Sequence, residues 1–324
     1  MRKVHHNSSA QHLLSIRQHR PIKMLPKPAP ANSKPRVVCL GAPRFIGQEY
    51  LASFQRSFNF SVLSASHRAE TKSLLPQDIE DNGPIDAFII RMGTPSYEPF
   101  DEDLLKALVP HCKIITSASA GYNEFDVDWM TKEGMHFCNT VDAVAEATAD
   151  MAMFLILATV RNTSNAERSA RAGKWREGLV PTRDPTGMVL GIVGTGAIGK
   201  VRCHCYLLVL RRTADVVFCT QYLAKKAVAF NMKIRYFNRK RLSPEDEERY
   251  AAEYCSSLHD LLAVSDVVSV NCPLNAQTTG LIGKAEFAAM KNGVFLVNTA
   301  RGPIIDEAAL KTSHSADWMS QCDC

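Results

Sequence analysis

Long hydrophobic runs and closely spaced cysteines are both missing from this sequence. None of the 324 residues lies in an uninterrupted apolar run of the roughly 18 residues that a membrane-spanning helix needs, which argues against an integral membrane protein. The ten cysteines include no C-x-x-C pair and are too sparse for a disulfide scaffold, so a reducing compartment is favoured. Glycine and proline occur at ordinary levels and no repeat of fixed period is visible, which excludes collagen-like and low-complexity proteins.

Acidic residues are absent from residues 1–36, which contain eight lysines and arginines. Because the whole chain has a net charge of +5, the remainder carries −3, and a nucleic-acid-binding surface is not indicated. The acid-free leader has the composition of a mitochondrial transit peptide. Alternatively, Met24 is the true start, because Pro26, Pro28 and Pro30 make the following stretch an extended linker. We therefore predict a cytoplasmic protein, with a mitochondrial location as the alternative.

From residue 37 onward, short apolar runs alternate with segments of helical periodicity. Runs of strand type occupy 37–40, Ala87–Ile90, 113–117 and 136–139. Apolar residues recur at spacings of three and four in 46–58, 101–108 and 126–133. This alternation predicts a parallel sheet. A nearly all-apolar helix is predicted over Asp142–Val160, buried on most faces and placed between two domains.

A glycine-rich motif follows the strand-like run 188–193. The glycines of the G-x-G-x-x-G pattern are Gly194, Gly196 and Gly199. In this context the first permits a tight turn, the second lets the backbone approach a pyrophosphate, and the third lets a helix pack on the strand. The pattern predicts a dinucleotide-binding βαβ unit, and a glycine-rich turn without a ligand is the alternative.

Residues 201–221 interrupt this unit with β-branched residues and three cysteines. Without them, Gly194 and Asn238 would be separated by about 20 residues, the usual spacing in such a unit. The segment begins with valine and ends with glutamine, which is typical of a short intron translated in frame, and we predict an intron-like insertion. A genuine surface insertion is one alternative. No metal is predicted, because a metal site here would rest on neighbours that point to opposite faces of a strand: Cys203, His204 and Cys205.

Four further motifs indicate a family. They are 297–310 (VNTARGPIIDEAAL), 271–274 with 278–282 (NCPL and TTGLI), 119–123 (SAGYN) and 145–150 (AEATAD). Together they resemble the NAD(P)-dependent D-2-hydroxyacid dehydrogenases, particularly the glyoxylate and hydroxypyruvate reductases, over about residues 37–310 apart from the insertion.

The resemblance implies an α/β fold with two doubly wound parallel-sheet domains. A flavodoxin-like substrate-binding domain is expected at 37–143 and a Rossmann coenzyme domain, incomplete and containing the insertion, at 144–310. A disordered basic leader, 1–36, would precede them, and a tail outside the family pattern, 311–324, would follow.

The resemblance also implies roles for individual residues. Arg301 resembles the catalytic arginine, a permanent cation that holds the substrate's carboxylate and polarises its carbonyl; a surface ion pair is the alternative. The backbone around Ala120 and Gly121 resembles the cradle for the substrate's carboxylate. The residues expected to bind the cofactor are Thr148, Gly194, Gly196, Ala197, Ile198, Gly199, Asn238, Arg239, Lys240, Cys272, Pro273, Thr278, Thr299 and Ala300.

Cofactor choice is indicated where the strand after the glycine loop ends. An acidic residue there would bind the ribose 2′-hydroxyl of NAD. This sequence has Asn238 followed by Arg239, Lys240 and Arg241, and three cations favour the 2′-phosphate of NADP. NAD, with a solvated basic turn, is the alternative.

The family pattern also implies a Glu roughly 30 residues after the arginine and a His nearly 20 residues further on, which protonates the carbonyl oxygen. Residues 1–324 contain neither, and His314 has the wrong spacing. The chain is therefore expected to be a C-terminally truncated, inactive form of an NADP-dependent glyoxylate or hydroxypyruvate reductase. A non-catalytic dinucleotide-binding or interaction protein is the alternative. A small 2-oxo or 2-hydroxy acid is the expected partner, without nucleic acid or membrane, and the family is homodimeric.

Overall fold

The computed structural model describes residues 34–43, 46–91, 94–140, 142–194 and 219–313. The described residues from Pro35 onward belong to one compact unit. They contain two five-stranded sheets in which all strands are parallel.

The first sheet has the strand order β2-β1-β3-β4-β5, the flavodoxin-like order. Its strands are β1 Arg36–Leu40, β2 Asn59–Leu63, β3 Ala87–Ile90, β4 Ile114–Ser117 and β5 His136–Cys138. The helices around it are α1 Gln48–Ser57, α2 Arg68–Asn82, α3 Glu102–Leu105 with the 3-10 helix Lys106–Leu108, and α4 Val127–Lys132.

The second sheet has the order β10-β9-β6-β7-β8, which is the 3-2-1-4-5 order of a Rossmann unit when it is read from β8. Its strands are β6 Val189–Val193, β7 Lys233–Phe237, β8 Ala252–Tyr254, β9 Val267–Val270 and β10 Phe295–Asn298. Its helices are α5 Asp142–Val160, α6 Thr163–Arg171, α7 Cys219–Ala229, α8 Pro244–Arg249, α9 Leu258–Val264, α10 Lys284–Ala289, α11 Glu307–Ser313 and the 3-10 helix Gly302–Ile304. The predicted fold class is confirmed.

Local signals explain where several elements begin. Asp101 and Asp126 cap α3 and α4, since their side chains accept from the N–H groups of Leu104 and Trp129. Such N-caps satisfy donors that have no partner inside the helix. One inner strand of each sheet is buried on both faces: every residue of β1 and of β9 is buried. In folds of this kind, ligands bind at the edge of the sheet that is formed by the carboxyl ends of its strands.

Helix α5 has the predicted bounds, but the prediction that most of its faces are buried is wrong. Ala149, Ala152 and Ile156 are fully buried, whereas Met151 and Phe154 are 53% and 62% exposed. The helix packs on α7 and β10 along one side only. Its window Ala143–Val160 is long and apolar enough to cross a membrane by length and composition, a test that core helices also pass.

Two predicted boundaries differ from the structure. Helix α7 begins at Cys219, so the last three residues of the predicted 201–221 insertion are helical, and Gln221 is buried. Helix α11 continues to Ser313, past the predicted end of the family pattern at 310. The proposed domain division at 143/144 falls inside α5 and stays a prediction.

Candidate active site

The turn after β10 fixes the backbone of Arg301. The side chain of Asn298 accepts from the N–H of Ala300 at 2.9 Å and donates to the carbonyl oxygen of Arg301 at 2.9 Å. An asparagine that bonds to its own following backbone is a common way to close a tight turn. Arg301 therefore leaves the strand in a defined direction, with its side chain half-buried.

The guanidinium of Arg301 lies against a turn that follows β4 in the other sheet. Its Nε donates to Oδ1 of Asn123 at 3.2 Å, and its Nη1 donates to the carbonyl oxygen of Ala300 at 2.9 Å. A Cβ at Gly121 would overlap this guanidinium. Glycine at position 121 thus makes the close approach possible, and two predicted site residues 180 positions apart are in contact.

We call residues Ser119 to Glu124 the 119–124 turn. Two of its carbonyl oxygens accept hydrogen bonds from side chains. Asn139 donates to the carbonyl oxygen of Ala120 at 2.7 Å, and the hydroxyl of Ser119 donates to that of Gly121 at 2.6 Å. Within the described part of the chain, the N–H groups of Ala120 and Gly121 meet no acceptor. Two such donors beside a guanidinium form an arrangement suited to a carboxylate.

Gly194 directly follows β6, at a position where only a glycine fits. Its φ of +91° is in the left-handed region, and a Cβ there would lie 2.8 Å from Cα and 2.9 Å from N of Cys272. The predicted cofactor residues Gly194 and Cys272 are therefore in contact at the carboxyl ends of β6 and β9. Four further predicted residues lie outside the described residues: Gly196, Ala197, Ile198 and Gly199.

The three basic residues after β7, Arg239, Lys240 and Arg241, differ in their hydrogen-bond partners. Residues Asn238 to Leu242 form the 238–242 turn, in which Asn238 Nδ2 donates to the carbonyl oxygen of Lys240 at 2.9 Å. Arg239 and Lys240 are both exposed. Nη1 of Arg239 donates to Oε1 of Gln277 at 2.7 Å. Arg241 instead forms two 2.8 Å hydrogen bonds with Glu247 and lies over the ring of Tyr254. Arg241 is thus paired within the protein, whereas Arg239 and Lys240 are exposed, and the preference for NADP stays a prediction.

Glu247 connects Arg241 to the buried end of β7. The hydroxyl of Tyr236, fully buried, donates to Glu247 at 2.6 Å and accepts from the N–H of Leu242 at 2.9 Å. The hydrogen bonds from Arg241 and Tyr236 lower the pKa of Glu247 to about 2. This network fixes the shape of the 238–242 turn.

Most of the remaining predicted residues lie on loops that follow strands of the second sheet, whereas Thr148 lies on a helix. Thr278 donates to the carbonyl oxygen of Pro273 at 2.6 Å, and Thr299 lies 3.4 Å from Oδ1 of Asn271. Thr148, on α5, donates to the carbonyl oxygen of Val144 at 2.7 Å. Within the described residues, no hydrogen bond joins Thr148 to another predicted site residue.

Sequence reasoning did not assign roles to Asn123 and Glu124. Asn123 is the last residue of the 119–123 motif that carries the resemblance, and Glu124 follows it directly, so this position was the signal for both. Glu124 is half-buried; burial raises its pKa above the ordinary value, while Arg301 opposes that change. Among the described residues, no group of three or more histidine, cysteine or acidic side chains could hold a metal ion.

Comparison with known proteins gives one consistent result. Residues 153–205 and 219–322 match the family model described as D-isomer specific 2-hydroxyacid dehydrogenase, NAD binding domain. The match omits residues 206–218, inside the predicted insertion, and extends past 310, where the family pattern was expected to end.

Two relatives and two solved structures illustrate the similarity. A dehydrogenase named efuE from Hormonema carpetanum is 50% identical over 85% of this chain and 64% of its own length. Glyoxylate/hydroxypyruvate reductase B from an Enterobacter species is 35% identical over 74% of this chain and 68% of its own. A glyoxylate reductase structure from Paecilomyces thermophila is 33% identical, with a TM-score of 0.72 over 86% of this chain and 76% of that one. The holo structure of D-mandelate dehydrogenase from Rhodotorula graminis is 31% identical, with a TM-score of 0.74 over 86% of this chain and 77% of that one. This chain thus spans less than two thirds of the length of some of its curated relatives.

Proposed function

The chain belongs to the D-isomer-specific 2-hydroxyacid dehydrogenases, and from this we propose that it serves the reduction of a small 2-oxo acid of the glyoxylate or hydroxypyruvate type, with NADP as cofactor. The observation that carries the proposal is the contact of Arg301 with the 119–124 turn of the other sheet. It joins a permanent cation to two N–H donors that have no acceptor among the described residues.

Each residue of this arrangement has a distinct task in the proposed reaction. The N–H groups of Ala120 and Gly121 bind the substrate's carboxylate, and the guanidinium of Arg301 holds the carboxylate and polarises the carbonyl. Asn123 keeps the guanidinium aligned through Nε. The reduced nicotinamide, when bound, supplies the hydride.

The residues at the end of β6 fit a dinucleotide. Gly194, whose φ of +91° excludes other residues, permits the tight turn at the strand's carboxyl end from which the predicted dinucleotide loop begins. Arg239 and Lys240 support the choice of NADP over NAD, because both are exposed cations and the 238–242 turn contains no carboxylate. Gln277 leaves the charge of Arg239 intact, since an amide oxygen is a neutral acceptor.

We further propose that a polypeptide of residues 1–324 alone reduces its substrate slowly. It contains Arg301 but not the Glu and His that the family pattern places further along. General acid catalysis is worth about 10²- to 10⁴-fold. We expect NADPH to bind to this polypeptide, because the cofactor residues belong to it. Because the general acid is missing, we expect the oxidation of NADPH by glyoxylate or hydroxypyruvate to stay far below the ~10 s⁻¹ that is typical of enzymes.

The test measures NADPH binding by fluorescence and NADPH oxidation with each 2-oxo acid, alongside Arg301→Met. Residual oxidation that disappears in Arg301→Met supports the proposal. Binding with no oxidation at all would favour a non-catalytic dinucleotide-binding protein, and no binding would reject both functions. Steady turnover near ~10 s⁻¹ would contradict the proposed slow reaction.

The proposed assembly is a homodimer in the cytoplasm. Large apolar side chains are exposed on α5 and on the segment after α6: Met151, Phe154 and Trp175 are 53%, 62% and 74% exposed. Met151 and Phe154 are three positions apart and so lie on the same side of α5, and an exposed apolar surface of this kind is favoured as one that a partner covers. Fractionation of cells that express the full chain tests the location against the mitochondrial alternative.

A further inference from the structure

One hydrogen bond joins the two loops that begin on either side of Gly194. Strand β6 lies between β7 and β9, and the N–H of Gly194 donates to the carbonyl oxygen of Phe237, the last residue of β7, at 2.9 Å. On its other side, Gly194 is packed against Cys272, which follows β9. Nη1 of Arg239, after β7, donates to Oε1 of Gln277, after β9, at 2.7 Å. This bond therefore spans the carboxyl end of β6, where the predicted dinucleotide loop begins.

The loop that contains Gln277 is closed by its own hydrogen bonds. We call residues Pro273 to Thr279 the 273–279 loop. The side chain of Asn275 accepts from the N–H of Gln277 at 2.9 Å, and its carbonyl oxygen accepts from the N–H groups of the two threonines that follow. The hydroxyl of Thr278 donates to the carbonyl oxygen of Pro273 at 2.6 Å. The backbone of Gln277 is thus fixed, so its side chain can hold a partner in one place.

Arg239 and Arg241 differ in which edge of the guanidinium is occupied. The edge formed by Nε and Nη2 can bind two oxygens of one carboxylate or phosphate. In Arg241, both of these atoms donate to Glu247 at 2.8 Å. In Arg239, Nη1 alone has a hydrogen-bond partner among the described residues, and that partner is the neutral amide of Gln277. Arg239 is therefore held in place with its charge intact and with its Nε–Nη2 edge available for a phosphate.

We propose that Gln277 is a positioning residue for the cofactor's 2′-phosphate, an inference that rests on the proposed use of NADP. Gln277 holds Arg239 across the carboxyl end of β6 before the cofactor binds, which lowers the entropy cost of ordering a long, exposed side chain. A glutamate at position 277 could accept the same hydrogen bond, but its charge would pair with Arg239 and repel the phosphate. The amide at this position thus favours NADP.

The test compares two ligands that differ only in the 2′-phosphate, the group that NADP has and NAD lacks: adenosine 2′,5′-bisphosphate and adenosine 5′-monophosphate. Calorimetry gives the dissociation constant of each, and the ratio of the two constants reports on the 2′-phosphate alone. We expect the unaltered chain to prefer the bisphosphate. In Gln277→Glu, we expect this preference to fall by at least about tenfold, because a hydrogen bond to a charged group is lost. In Gln277→Leu, which loses the acceptor without adding a charge, we expect a fall of roughly two- to tenfold.

Three controls accompany these variants. Gln77→Glu, at an exposed position on α2, makes the same change in net charge and should leave the ratio unchanged. Adding Gln277→Leu to Arg239→Ala should have no further effect on the ratio, because Gln277 acts through Arg239. Urea unfolding and the binding of oxamate, an unreactive 2-oxo acid analogue, check that each variant is otherwise intact.

The outcomes separate this inference from the choice of NADP. A preference for the bisphosphate that Arg239→Ala abolishes but both Gln277 variants retain would overturn the role of Gln277 and leave NADP as the cofactor. An equal loss of affinity for both ligands in the Gln277 variants would also overturn it, because Gln277 would then only support the loop. Equal affinities of the unaltered chain for the two ligands would reject the choice of NADP, and this inference with it.

Discussion

Two glycines of the site, Gly121 and Gly194, are required for different physical reasons. A Cβ at Gly121 meets the far end of a flexible side chain, that of Arg301, which can move away. A Cβ at Gly194 meets the backbone of Cys272, and the φ of +91° is itself unfavourable for other residues. The first glycine therefore controls the position of a functional group, and the second controls whether β6 and β9 can end side by side.

Gly121→Ala should displace Arg301 without unfolding the protein. Loss of a charge-assisted hydrogen bond costs about 1.5–3 kcal/mol, or roughly 10- to 150-fold in affinity, so we expect oxamate binding to weaken by at least about tenfold. Calorimetry measures the affinity and urea unfolding the stability. Gly47→Ala is the matched control, since a Cβ there has nothing within 4 Å and its φ is ordinary. An unchanged affinity for oxamate would show that Arg301 does not need this space.

Replacing Asn238 by Asp and Arg239 by Ala should reverse the cofactor preference. The change removes a hydrogen-bonding cation and adds a carboxylate that repels the 2′-phosphate, and each cation–phosphate bond is worth roughly 10- to 150-fold. The ratio of NADPH to NADH dissociation constants measures the effect. Arg241→Ala should change this ratio far less, because Arg241 is paired with Glu247. Tighter binding of NADH than of NADPH by the unaltered chain would refute the interpretation of this turn.

At the scale of elements, α8 holds the 238–242 turn to β7 through one carboxylate. Glu247 accepts from both Tyr236 and Arg241, and these bonds lower its pKa from 4.5 to about 2. A carboxylate with a lowered pKa stabilises the fold above the ordinary pKa, and that contribution is lost as the pH falls through 4.5 toward about 2.

Glu247→Gln should therefore flatten the acid dependence of stability. We expect the free energy of unfolding of the unaltered chain to fall more steeply between pH 4.5 and about 2 than that of the variant, as followed by urea unfolding. Glu248→Gln, an exposed neighbour on the same helix, should keep the steep dependence. Identical slopes for all three chains would show that the network contributes nothing to stability.

The proposed dimer depends on the exposed side of α5. Replacing Met151 and Phe154 by Glu would place two charges in the apolar surface that the proposed dimer covers, so we expect the double variant to be monomeric. Light scattering after size-exclusion chromatography measures the mass. Val264→Glu, at an apolar side chain of α9 that is 39% exposed, should not change it. A dimer of unchanged stability in the double variant would place the interface elsewhere.

At the scale of the whole molecule, the two segments that match the family model, 153–205 and 219–322, are separated only by residues 206–218, between β6 and α7. Deleting 206–218 should shorten the path from Gly194 to Asn238 from 44 to 31 positions, which is closer to the usual spacing of about 20. We expect a higher soluble yield and tighter NADPH binding, measured by fluorescence titration. A deleted chain that is less soluble than the parent would identify the segment as a native element.

Sequence reasoning was most successful where a pattern is local. The helix Asp142–Val160 and the strand Ala87–Ile90 were predicted with the bounds that the structure has, because apolar periodicity extends through both. The elements β2 and α2 were not predicted. Strand β2 is partly exposed and has only one buried residue, and α2 contains Pro76 in its middle and several acidic residues, so neither has a clear apolar pattern.

The sequence by itself determined the fold class, because the alternation of short apolar runs with helical segments is a local pattern. It also contained the motifs that carry the family resemblance, and this resemblance singled out Arg301. Only the tertiary structure decided which groups meet: Arg301 lies against Gly121, and Arg241 is paired with Glu247. It also showed that α5 is buried on one side only, since burial depends on what packs against a helix and an all-apolar sequence presents the same composition to every side. Contacts between residues far apart in the chain are set by how the two sheets and their loops pack, and no local pattern contains that information.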